Sequence, residues 1–197
     1  MDMETGVEGQ RGVMGSKPTT YADLEALPAN TVGELIHGEL YVSPRPAGPH
    51  TVAASVLGGE LMGPFHVGRG GPGGWLLLDE PELHLGEDVL IPDLAGWRRE
   101  RMPRAPRTAA FTLAPDWVCE VLSPSTAALD RSAKLVVYAR EQVRHVWLVD
   151  PEARTLEVLR LEGAQYTVCF THSGAAHVRA EPFEALELTL ALLWDEP

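Results

Sequence analysis

The stretch PDWVCEVLSPSTAALDRSAK, residues 115–134, decides the fold, because a strand pattern gives way to a helix pattern within it. In DWVCEVLS the side chains alternate between faces, so Val118, Glu120 and Leu122 point one way and Trp117, Cys119 and Val121 the other. Both faces are mostly apolar, which marks a central strand covered on both sides. From Thr126 to Gln142 the spacing becomes helical, with Leu129, Ala133, Val136, Val137 and Arg140 defining one side. Ser123 and Ser125 flank Pro124 at the junction, where hydroxyls are expected to cap the helix start. Glu120 is the anomaly. An unpaired ionised carboxylate inside an apolar strand costs several kcal/mol, so it must lie near a strand end, be neutralised, or bind a cation.

Working outward, short elements separated by Gly and Pro fill the rest of the chain. YADLEALP (21–28) reads as a short helix ended by Pro28, and GELIHGELYVSPRP (33–46) as a hairpin reversing at His37-Gly38. Residues 50–65 have roughly helical apolar spacing, weakened by Gly58-Gly59, and GPFHVGRGGPGG (63–74) reads as a flexible loop. Strands are expected at WLLLDEPELHL (75–85), DVLIPDLAGW (88–97), RHVWLVD (144–150), TLEVLRLEG (155–163) and YTVCFTH (166–172). Strands on both sides of a central helix imply a mixed α/β or α+β sheet rather than a sandwich.

With 197 residues the chain has the length of one domain, expected over 18–197, after a polar, Gly-rich segment 1–17 expected to be flexible. No long apolar run offers a membrane span and the N-terminal segment does not resemble a secretory signal, so a cytoplasmic protein is expected. Cys119 and Cys169 are too few for a disulfide scaffold and read as small buried apolar residues.

The net charge of −12 argues against a protein that coats nucleic acid. Its distribution matters more than its total. Between Leu94 and Arg144 nine Lys/Arg face five Asp/Glu, so the basic residues gather in the half of the chain that holds the odd carboxylate. A phosphate-bearing ligand fits there.

Asp93 follows another apolar strand, and if that strand neighbours 117–122 the two acids meet. Two carboxylates with room for water suit Mg²⁺ or Mn²⁺, which prefer oxygen ligands. Asp130 and Lys134, four apart on the helix, share a face. A Lys beside a metal-bound water can orient it, hold it deprotonated, or neutralise charge on a phosphate.

IPDLAGW, DWVCEVLSPST, DRSAK and HVWLVDP together resemble the Uma-two family of restriction endonucleases, in the PD-(D/E)XK nuclease superfamily; the resemblance runs from about Tyr21 to the strands after Pro151. It implies a restriction-endonuclease-like α/β (α+β) fold, with a mixed central sheet flanked by helices and here an additional antiparallel hairpin region, a divalent metal (Mg²⁺ or Mn²⁺), hydrolysis of phosphodiester bonds in nucleic acid, DNA first, and a homodimer. Asp93 matches the acid of the PD element and Glu120 the second metal ligand, with Lys134 the catalytic amine and Glu34 a further carboxylate; Glu39 is the weaker match. The chain departs from the superfamily at Leu122, where the usual ExK pattern has its Lys.

Plainer roles compete. Glu120 could pair with an Arg at a strand end, Asp93 could be a turn residue, and Asp130 with Lys134 could be an exposed helix pair worth a few tenths of a kcal/mol. For Asp130 the supporting role, positioning Lys134, is preferred. His50 reads as a cap or core residue. The Arg-rich loop WRRERMPRAPR (97–107), with Arg98, Arg99 and Arg101 at its start, is by default a solvated loop and, in the sharper reading, a contact for the DNA backbone. Two function classes follow: a metal-dependent nuclease, or a nuclease-like dimeric binding module without activity. A thiol enzyme using Cys119 is disfavoured, since alternation sends it to the face opposite Glu120.

Overall fold

In the computed structural model, which describes residues 19–46 and 48–194, residues 117–121 form the fully buried strand that their alternation predicts. The expected flexible segment 1–17 lies outside the described residues. The first part of the chain forms α1 (Tyr21–Glu25), the hairpin β1 (Thr31–Ile36) and β2 (Glu39–Pro44), and α2 (Gly48–Leu61), which continues as a π-helical segment Met62–Val67. Next come β3 (Trp75–Asp79), β4 (Glu82–Leu85), β5 (Asp88–Leu90), β6 (Leu94–Arg98), β7 (Ala110–Phe111) and β8 (Trp117–Val121). A helix follows as α3 (Ala127–Leu129), a π-helical turn Asp130–Lys134, and α4 (Leu135–Arg140). Then come β9 (His145–Asp150), β10 (Thr155–Glu162), β11 (Gln165–Ser173), the short pair β12 (His177–Val178) and β13 (Leu188–Thr189), and a 3₁₀ turn Leu190–Trp194.

The main sheet has six strands in the order β11-β10-β9-β8-β6-β3, mixed in direction: β8 runs parallel to β9 and antiparallel to β6. The expected hairpin is present, reversing at His37 (φ 52°) and Gly38 (φ 78°), the left-handed pair that a two-residue turn needs. It is not a separate appendage. It belongs to a second sheet of five strands, β2-β1-β5-β4-β7.

This second sheet explains where the expected strand boundaries fail. WLLLDEPELHL and DVLIPDLAGW each look like one run, yet each is two strands in two different sheets. The breaks fall at Glu80-Pro81 and Ile91-Pro92, where proline removes a ladder donor.

Two apolar clusters sandwich the main sheet. Trp117, Cys119 and Val121 face α2 and the C-terminal turns in a cluster with Trp75, Trp147, Phe65 and Phe183. Val118 and Leu122 face the second sheet and α4 with Leu83, Leu90 and Val137. Gly96 sits between the large rings, since a Cβ there would lie 2.8 Å from Leu77 Cδ2 and 3.2 Å from the rings of Trp75 and Trp117. Cys119 is buried as expected, whereas Cys169 lies partly exposed on β11, at the edge of the main sheet. The predicted loop 63–74 begins inside the π-helical segment, and α2 runs through Gly58-Gly59 without a break. Among the described residues no helix is long and apolar enough to cross a membrane.

Candidate active site

Lys134 is the centre of the site, although it is only 2% exposed. Its Nζ lies 2.9 Å from Glu120 Oε2, 3.0 Å from Glu34 Oε1 and 3.2 Å from Asp130 Oδ1. Each partner arrives on a different support. Glu120 comes from the buried face of β8 that meets the second sheet and α4. Glu34 comes from β1, and its Oε1 also accepts the Ile91 N–H at 2.8 Å. Asp130 and Lys134 both lie in the π-helical turn, an insertion often found at functional positions, and both are directed inward. The plainer alternative of an exposed pair does not hold: Asp130 is 3% exposed, and its bond to Lys134 is internal.

Tyr138, one further turn along the same helix face, donates its hydroxyl to Glu120 Oε1 at 2.5 Å. Sequence reading passed over this residue, although the spacing 130, 134, 138 carried the signal. Both oxygens of Glu120 thus have donors.

Asp93 stands one step beyond the last β6–β8 pair, Leu94 opposite Cys119. Its Oδ2 accepts the Val121 N–H at 2.7 Å, and its Oδ1 lies 3.1 Å from His50 Nε2. His50, read from sequence as a cap or core residue, projects from the first turn of α2 and is the direct partner of Asp93. All six groups, Glu34, His50, Asp93, Glu120, Asp130 and Lys134, line one cavity of about 60 Å³. That is room for an ion or a few waters.

The electrostatics follow from three carboxylates around one amine, with Asp93 close by. Burial opposes the charged form of Lys134, but the charges of Glu120 and Glu34 prevail and hold its pKa well above the ordinary lysine value. It is an ammonium at neutral pH, so it donates hydrogen bonds and does not act as a base. Burial pushes Glu120 well up; Lys134 opposes this, and the neighbouring carboxylates add to it. Asp130 is raised for the same first reason. Burial tends to lower His50, yet its hydrogen bond to Asp93 and that carboxylate's charge leave it raised. Cys119, on the opposite face of β8, is pushed up by burial and remains a thiol.

The other sequence-derived candidates lie elsewhere. Arg98 closes the end of β6 remote from Asp93, with its guanidinium 4.1 Å from the Trp75 ring centre. Arg99 donates to the Pro103 carbonyl at 3.0 Å, and Arg101 pairs with Asp116 at 2.7 Å. The structure does not bring these three to the carboxylate cavity. Ser123 and Ser125 bond each other at 3.0 Å, and Ser123 bonds the Thr126 hydroxyl; their side chains do not cap the helix as expected.

The donor set is all oxygen apart from one imidazole and one amine, the chemistry a hard divalent ion takes. Its excess of acid over base also fits such an ion. Among the described residues, however, no three His, Cys, Asp or Glu are already grouped as metal ligands, and Lys134 occupies the cationic position between Glu34, Glu120 and Asp130.

A family model described as Uma2, "Putative restriction endonuclease", matches residues 19–192. No curated protein matches the chain. Among solved structures, the fold is similar to that of a protein from Anabaena variabilis described as a "putative nuclease belonging to DUF820". The TM-score is 0.72 at 23% identity, over 90% of this chain and 98% of that one. This likeness bears out the mixed sheet flanked by helices.

Proposed function

The chain belongs to the Uma2 restriction endonuclease family, and from that premise we propose that it is a Mg²⁺- or Mn²⁺-dependent endonuclease hydrolysing phosphodiester bonds, with DNA as substrate. The observation that carries this reading is the convergence of Glu34 from β1, Asp93 from the link between β5 and β6, Glu120 from β8, and Asp130 and Lys134 from the π-helical turn on one small cavity. Leu122 occupies the usual lysine position, yet the Lys134 amine reaches the same Glu120 carboxylate from the helix.

Asp93 and Glu120 are the residues that would hold the ion, with Glu34 supplementing them. When bound, a divalent ion supplies Lewis-acid polarisation of the phosphate and acidifies water. Lys134, as an ammonium, places positive charge where the phosphorane develops negative charge. Asp130 holds that amine, Tyr138 fixes the rotamer of Glu120, and His50 with the Val121 N–H fixes Asp93. Arg98, Arg99 and Arg101 stand at least the length of β6 away, about 13–17 Å at roughly 3.3 Å per residue. Their proposed contacts are to flanking phosphates, not to the one being cut. A homodimer, as the family resemblance implies, acting in the cytoplasm, as the sequence reading expects, completes the proposal.

One observation favours the second reading, a dimeric binding module without activity: Tyr138 and Lys134 already engage both oxygens of Glu120. Mn²⁺ calorimetry and plasmid nicking on the wild type, Asp93→Ala and Glu120→Ala separate the two. EDTA-sensitive nicking lost in both variants supports the nuclease. Metal binding lost in both variants, with no nicking by any protein, supports the module. No nicking and no metal binding by the wild type refutes the nuclease.

A further inference from the structure

SPRP, residues 43–46, sets one arginine between two prolines. Proline fixes its own φ, and Pro46 confines the residue before it to extended backbone, so the course of the chain at Arg45 is set without packing. Pro44 ends β2, and both prolines line the carboxylate cavity. Arg45 lines an adjoining cavity of about 240 Å³, which shares Val32, Glu80 and Ile91 with the first. Its guanidinium lies 3.6 Å from Glu80 Oε2, too far for a hydrogen bond, and both side chains are about half exposed. An ion pair of that kind contributes little and opens readily.

A nucleic-acid strand arriving here meets acid. Glu34, Glu80, Asp93, Glu120 and Asp130 line the carboxylate cavity against one ammonium and one imidazole. Lys134 has nothing left with which to hold the strand, because an ammonium has three N–H donors and three carboxylates lie within 3.2 Å of this one. His50 is turned to Asp93. Arg131, next to Asp130 in the chain, gives two hydrogen bonds to Glu157, at 2.7 and 2.9 Å. Arg98, Arg99 and Arg101 stand beyond the far end of β6. Among the described residues that line these two cavities, Arg45 is the cation that no buried acid holds.

We infer that Arg45 binds a backbone phosphate of the strand entering the carboxylate cavity, and that this phosphate displaces Glu80 from the guanidinium. The planar guanidinium offers two parallel N–H donors to two phosphate oxygens, a stronger match than one carboxylate oxygen at 3.6 Å. Until the phosphate arrives, Glu80 keeps the guanidinium at the mouth. The inference rests on the nuclease reading and adds to it a substrate contact that carries no base preference.

The test uses the full chain and a short DNA duplex at fixed Ca²⁺, with binding followed by fluorescence anisotropy over a range of salt. Arg45→Ala is expected to weaken binding about tenfold and to lower the slope of log affinity against log salt by about 0.9, the share of one phosphate contact. Arg45→Lys should keep the slope and recover only part of the affinity, since the charge survives and the fork does not. Arg179→Ala removes the same charge outside both cavities, beside Glu187 at 3.8 Å, and should leave the slope unchanged. The variants should melt with the wild type, because the pairs removed are exposed. In Mg²⁺, Arg45→Ala should raise KM for nicking and leave kcat nearly unchanged, the pattern of lost uniform binding. A slope unchanged in Arg45→Ala, or lowered equally in Arg179→Ala, overturns the inference. Metal-dependent nicking whose KM does not respond to Arg45→Ala would overturn the role of Arg45 and leave the nuclease standing; Arg45-dependent binding without nicking by any protein would do the reverse.

Discussion

Replacing Lys134 with Met tests whether the amine is what permits the carboxylates to be buried. The side chain keeps most of its length and apolar packing but loses three ion pairs, at 2.9, 3.0 and 3.2 Å. Removing one partner of a buried ion pair typically costs about 3–5 kcal/mol, because the other charge is left uncompensated. Here the lower end is expected, since burial already disposes Glu120 and Asp130 to take up protons. That uptake fixes the pH dependence. In the variant the two raised carboxyls keep protons that their unfolded counterparts release above pH ~4, so the native state binds more protons and its stability rises as pH falls from 7.5 towards 5. In the wild type Lys134 is itself raised above the free value of about 10.4, so its contribution is fully present below that pH and disappears only in stronger alkali. The wild-type-minus-variant difference should therefore be about 3 kcal/mol at pH 7.5 and clearly smaller at pH 5, read by urea denaturation in EDTA. A difference below about 1 kcal/mol, or one that does not change with pH, would refute the claim that the ammonium neutralises buried acid.

Two further changes probe the supports of the site, and a third probes the core on the other face of the sheet. Tyr138→Phe removes a 2.5 Å hydrogen bond to Glu120 and leaves a buried acceptor oxygen without that donor, which is expected to cost about 1–3 kcal/mol in urea denaturation. His50→Gln should destabilise more at pH 6 than at pH 8.5: the raised His50 contributes stability that is fully present below about 6.5 and is lost as pH rises through its folded value. An equal loss at both pH values would mean that the pair with Asp93 is not an ionic one. Gly96→Ala drives a methyl to 2.8 Å from Leu77 between two tryptophans, and thermal denaturation should report a loss of about 1–3 kcal/mol.

What the sequence disclosed, and what it hid, divides along physical lines. The strand 117–121 was legible because two apolar faces leave no other place for it than a sheet centre, and the meeting of Asp93 with the 120–121 segment follows from β6 pairing with β8. The switch from one sheet to another was not legible. Period-2 alternation is the same whether the next residues continue a strand or enter a second sheet, and only Pro81 and Pro92 hinted at the breaks. The π-helical turn was equally silent, because Asp130 and Lys134 at i and i+4 look like an ordinary exposed pair until the second sheet covers them. The Arg-rich loop misled in a different way. Adjacency in sequence to Asp93 suggested adjacency in space, but β6 carries the chain to the far end of the sheet before Arg98 appears.

The displaced lysine has a physical explanation in these same facts. Leu122 points to the same side of β8 as Glu120 and is 4% exposed in the cluster beneath the second sheet. A lysine there would have to bury its stem and head in a space that apolar side chains fill. The helix solves the problem from the other side. Its π-helical turn directs Asp130 and Lys134 at β8 together, so the amine arrives already held by one acid and meets Glu120 and Glu34 at its tip. What this site requires is an ammonium on the Glu120 face with its desolvation compensated, and Asp130 supplies that compensation from the same turn. The cost is an excess of acid over base in a cavity with room for little more than an ion, and that excess negative charge must be neutralised. A proton on Glu120 is one answer, and a divalent ion is the other.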